Sequence, residues 1–123
     1  MSVIVRDDGF HAEDYTGDQV IDIASDVKPG ALPDFAGVEL ICVAFPAFSD
    51  GRGFTLARHL RALGYTGRLR AKGHVIADQY AMARRSGFDE VEISDELAQR
   101  QPAQQWAFRA DWRDNDYRRR LRS

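Results

Sequence analysis

The sequence predicts a small single α/β domain: a short parallel sheet in the order β-α-β-α-β-α with an N-terminal β-hairpin. Three observations carry this. Apolar runs of strand length at 38–45, 69–71 and 91–93 alternate with helical patterns at 55–63, 75–85 and 95–101, which implies parallel strands joined by right-handed crossovers. Gly64 and Gly87 come within two residues of the end of the first two helical patterns, where a left-handed cap ends a helix. The chain has 123 residues, 44% hydrophobic and 29% charged. That suits one core and is too short for a dinucleotide enzyme with its own substrate domain.

Taken in order, Val3-Ile4-Val5 enters a turn at Asp7-Asp8-Gly9 and returns at Phe10 as a hairpin. Val20 to Ile23 is a further short strand, and residues 28–37 are a turn-rich connection. Residues 1–37 thus form an acidic N-terminal part. The α/β core spans 38–101. Val38 to Phe45 reads as a strand buried on both faces and ended by Pro46. Leu56, Leu60 and Leu63 then recur at helical spacing, with Arg58 and Arg61 on the other side. Leu69 to Ala71 is a strand flanked by Arg68, Arg70 and Lys72. Ile76, Tyr80 and Ala83 share one face of the second helix. Residues 102–123 are aromatic and arginine-rich. Trp106 and Phe108 are expected to pack onto the core, and Trp112 and Tyr117, ringed by charge, to anchor an interface.

Charge is segregated although the net is only −2. Residues 1–50 hold ten acidic and two basic side chains, whereas 51–85 hold eight basic ones and a single acid, Asp78. Such an arginine-rich stretch suits oxyanions or an acidic partner surface. An ion pair from Asp78 to Arg52 or Arg70 is the plainer expectation. Nucleic acid ranks lowest as a partner, since the pI is near 5.9 and no reader motif is present. Cys42 is the only cysteine, which excludes an intrachain disulfide and a four-thiolate cluster. It reads as a small buried hydrophobe. The three histidines show no metal spacing, so neither metal nor redox cofactor is expected. Residues 1–10 lack the apolar run of a signal peptide, and no segment is long enough to span a membrane. The expected setting is cytoplasmic.

The junction after the central strand is the most informative for chemistry. Asp50, Gly51, Arg52, Gly53 and Thr55 precede or open a helix at the carboxyl end of a parallel strand. Two readings stand. Backbone N–H groups, Arg52 and a contribution from Arg70 could hold a small anion. Alternatively, Asp50 caps a tight turn and Arg52 pairs with an acid. A dinucleotide fingerprint does not fit, because position 56 is leucine where a third glycine belongs. His74, Asp78 and Gln79 form a candidate polar site at the next junction.

Longer motifs resemble a known family. These are Phe45-Pro46-Ala47-Phe48-Ser49-Asp50-Gly51-Arg52-Gly53, then Gly64-Tyr65-Thr66-Gly67-Arg68-Leu69-Arg70-Ala71-Lys72-Gly73-His74-Val75, then Asp78-Gln79 and Arg85-Ser86-Gly87-Phe88-Asp89. In this order they are similar to the bacterial domain-of-unknown-function 934 family, whose members are labelled oxidoreductases of sulfite reduction. The resemblance covers about residues 38–93. Thr55 replaces the family's usual serine, Arg68 a glutamate and His74 an aspartate. The resemblance implies a setting in assimilatory sulfate or sulfite reduction, with a sulfite reductase or an associated electron-transfer protein as partner. Two roles remain open: an accessory protein that binds an anionic metabolite or such a partner, and an enzyme acting on a sulfur oxyanion or phosphorylated metabolite at the Asp50–Gly53 loop.

Overall fold

The computed structural model describes residues 2–107. One six-stranded sheet organises them, in the order β2-β1-β6-β5-β4-β3. The strands are β1 (Ser2–Arg6), β2 (Gly9–His11), β3 (Val20–Ile23), β4 (Leu40–Phe45), β5 (Arg68–Gly73) and β6 (Glu90–Ser94). Strands β3 to β6 run parallel, and β1 lies antiparallel to both β2 and β6. The predicted fold class and N-terminal hairpin are therefore present. The sheet is open, and the hairpin extends it rather than standing apart.

Four helices accompany the sheet: α1 (Arg52–Ala62), α2 (Tyr80–Ser86), α3 (Asp95–Arg100) and α4 (Ala103–Ala107). Helix α1 begins three residues earlier than the apolar spacing suggests, so Arg52 and Gly53 belong to its first turn. Gly53 can sit there because a Cβ would fall onto the Phe45 ring. The second helical pattern divides into a 3-10 turn (Ala77–Gln79) and α2. The Ser94 hydroxyl accepts the Leu97 N–H and starts α3, as N-cap serines do.

Alternation along the strands sorts the side chains by face. Val5, Ile41, Val43, Phe45, Leu69, Ala71, Val91 and Ile93 join one apolar core with Leu56 and Leu60 of α1, Tyr80 and Ala83 of α2, and Trp106 of α4. Phe45 packs against Phe54 and Phe88, and Tyr80 meets Trp106 edge to face. The expected docking of Trp106 is thus realised at 1% exposure. Phe108, Trp112 and Tyr117 lie outside the described residues.

The other face carries Arg6, Arg68, Arg70, Lys72, Glu90 and Glu92, with no described helix over it. Strand β4 is buried on both faces as expected, Ile41, Val43 and Phe45 on the helix side and Leu40 and Cys42 on this one; Ala44 alone of its residues is exposed. Strands β2 and β3 occupy opposite edges, five strand spacings or roughly 24 Å apart. Residues 12–19, which join them, bond to this charged face and so cross it as a strap.

Candidate functional site

The carboxyl ends of β3, β4 and β5 bring three loops together. Asp50 anchors the loop after β4, its N–H donating to the Ala47 carbonyl at 3.0 Å. Its carboxylate accepts the Arg52 N–H at 3.1 Å and grips the Arg52 guanidinium through Nε at 2.9 Å and Nη2 at 2.7 Å. The hydrogen bonds from Arg52 hold the Asp50 carboxyl well below the usual range. The turn geometry weighed from sequence is the one adopted, and Arg52's acid is its own neighbour. Arg52 Nη2 also reaches the Ser25 hydroxyl at 3.4 Å. Ser25, Asp26, Lys28, Arg52 and Thr55 are among the residues lining a cavity of about 240 Å³ beside the first turn of α1.

Gln79 ties the loop after β4 to the loop after β5. Its amide Nε2 donates to the Phe48 carbonyl, and its Oε1 accepts the Ile76 N–H at 3.1 Å. The His74 N–H donates to the Phe45 carbonyl at 2.8 Å. At Gly73 the backbone φ is +125°, and a Cβ would lie 2.6 Å from the Phe45 carbonyl oxygen, so glycine alone fits between the loops. These contacts fix a lip on which the Phe48 side chain is 59% exposed. The side chains of His74 and Asp78 stand exposed nearby.

Arg70 is not part of this edge. It is 3% exposed on the charged face of the sheet. Its guanidinium donates to Glu90 at 2.6 Å, Glu92 at 2.8 Å and Glu13 at 2.5 Å. Burial opposes its charge, but the hydrogen bonds to Glu13 and Glu90 outweigh that and raise its pKa. The expected contribution of Arg70 to an anion site at the Gly51 loop is therefore not provided: its charge is met by three carboxylates elsewhere. Where an ion pair with Asp78 was expected, Arg52 pairs with Asp50 and Arg70 with these three carboxylates, and Asp26 adds to the field at Arg52. Cys42 lies on the same charged face, and burial pushes its thiol up to about 11, away from a reactive thiolate. Among the described residues no three His, Cys, Asp or Glu side chains converge on a metal position, and no helix is long and apolar enough to cross a membrane.

Sequence reasoning missed Ser25 and Lys28, because only the adjacency of β3 and β4 brings residues 25–28 to Arg52. It also missed Glu13 and Asp14 as partners of the arginines. Their signal was present, since the acidic third faces the basic third in charge.

The architecture defines a mostly parallel α/β protein with helices on one face and a loop cluster at the carboxyl edge. Residues 20–120 match the family described as a bacterial protein of unknown function (DUF934), and the chain belongs to that family. No curated protein and no solved structure matches it.

Proposed function

We propose that this protein is an accessory factor of assimilatory sulfite reduction. It docks on a sulfite reductase or an associated electron-transfer protein and carries no redox cofactor of its own. The single observation behind this reading is the Phe48 lip. A large aromatic is more than half exposed on a loop held by Gln79, Asp50 and the His74 backbone. An exposed ring fixed before binding loses little freedom on docking, and such aromatic anchors dominate protein interfaces. The sulfite setting comes from the family resemblance.

A second reading has its own support. The cavity lined by Ser25, Asp26, Lys28, Arg52 and Thr55 offers two hydroxyls and the Lys28 ammonium beside a helix N-terminus, groups that suit a sulfur oxyanion or phosphate, although Arg52 is already paired with Asp50. In that reading the protein binds, or acts on, a small anion.

Co-elution with the sulfite reductase of the same organism, and sulfite turnover with and without added chain, test the first reading. The expected result is co-elution that Phe48→Ala abolishes. Undiminished co-elution of that variant removes the lip from the account. Calorimetry with sulfate, sulfite and phosphate against Arg52→Ala tests the second. Equal heats for the two chains, or none, end it.

A further inference from the structure

The strap across the charged face has the form of a built-in ligand. Glu13 bonds Arg70 at 2.5 and 3.2 Å, and Asp14 bonds Arg6 at 2.8 Å and Arg68 at 2.9 Å. Tyr15 places its ring under the Arg68 guanidinium, 5.9 Å from carbon to centroid. The Tyr15 hydroxyl accepts the Gln19 N–H at 2.9 Å and closes the turn into β3. Arg6 and Arg70 are also held from below by Glu90, and Arg68 donates to both Glu90 oxygens.

Two features separate the strap from the rest of the fold. Charge holds it: none of residues 12–19 enters the apolar core, and all but Tyr15 are exposed. It also balances a surplus. Without the strap, Arg6, Arg68, Arg70 and Lys72 face the carboxylates of Glu90 and Glu92 and of Asp22 on β3, four cations against three acids. In addition, an open groove of about 840 Å³ starts at Tyr15 and Arg68 and continues past Phe35, Gly37 and Tyr65.

We propose that this arginine-bearing sheet face is a binding surface for an extended acidic segment of a partner protein. The segment would carry an aromatic residue directly after its acids, and residues 12–19 are its intramolecular competitor. The order Glu13-Asp14-Tyr15 is then the template of what binds: two carboxylates for Arg70 and for Arg6 with Arg68, and a ring for Arg68. The proposal is independent of the Phe48 lip, which lies at the carboxyl edge of the sheet.

The test uses the full chain with Glu13→Gln and Asp14→Asn together, which keeps the strap's shape and removes its charge. The probe is a fluorescent peptide with the sequence of residues 11–19, read by anisotropy at low salt. The double variant should bind at least about tenfold more tightly than the unaltered chain, and salt should weaken the binding. A peptide with its three acids amidated should not bind. Equal binding to both chains, or to neither, overturns the proposal. Hydrogen exchange on the unaltered chain decides the matter if the variant fails to fold. In high salt the Tyr15 and Gln19 amides should exchange faster while those of β4 to β6 hold. A strap that exchanges in step with β4 is part of the cooperative core, and the surface beneath it is then not available.

Discussion

The two faces of the sheet are held by different forces. On the helix side, Val43, Phe45, Leu69 and Val91 meet helices in an apolar core, where stability follows buried area and fit. On the strap side, Arg70 and Glu90 are equally buried, at 3% and 2%, yet the contacts are ionic. No buried side-chain polar atom among the described residues lacks a partner. Apolar packing tolerates changes that conserve volume, whereas a buried charge tolerates no loss of its partner. The contrast accounts for part of the lopsided sequence: Glu13 and Asp14 of the acidic part meet Arg70 and Arg68 of the basic middle third, alongside Glu90 and Glu92.

The largest effect that would sharpen this contrast is expected at Arg70. Arg70→Ala takes the cation from Glu13 and Glu92 and one of three arginines from the buried Glu90, and should cost about 3–5 kcal/mol in urea unfolding. Arg70→Lys, which keeps a cation among Glu13, Glu90 and Glu92, should recover part of that loss. If it is no better than Arg70→Ala, the ionic description of this face is wrong. Next in size, Gly73→Ala should cost about 1–3 kcal/mol through its backbone conformation and its approach to Phe45, measured in the same way.

Acid should act on one face only. Hydrogen bonds from Arg70 lower the pKa of Glu13, and those from Arg6 and Arg68 lower that of Asp14. Groups depressed in the folded state stabilise it above their ordinary range, near pH 4, and that stability is lost as pH falls through their folded values. Arg6, Arg68, Arg70, Glu39, Glu90 and Glu92 face them and set the field. Amide exchange of the strap should therefore rise at acid pH before that of β4. Simultaneous loss would join the two faces into one unit. The smallest effect is expected at the lip: Phe48→Ala should change stability by less than about 0.5 kcal/mol.

Much of the fold was legible because its signals are local. Gly64 and Gly87 end helices, Pro46 follows a strand, and Leu56 and Leu60 mark the buried stripe of α1. The strap was not legible, since nothing near residues 12–19 says that β2 and β3 lie at opposite edges. The same gap set Arg70 beside Arg52 in the sequence reading. Arg70 lies within β5 with its side chain on the strap face, whereas Arg52 opens α1 at the carboxyl edge. The tight turn at Asp50 was legible, being local, but the acid that Arg52 meets was expected to be Asp78 and is Asp50. The neighbours Ser25 and Lys28 needed the β3–β4 register.

The claim that the acidic and basic thirds are each other's partners is tested most directly by a double-mutant cycle between Glu13 and Arg70. Glu13→Ala, Arg70→Met and the double variant would be compared with the unaltered chain by urea unfolding. The account predicts a coupling energy of about 1 kcal/mol or more, within the ~0.5–3 kcal/mol seen for residues in one network. Additive losses, with no coupling, would contradict it: the strap would then lie on the sheet without being held there by its charges.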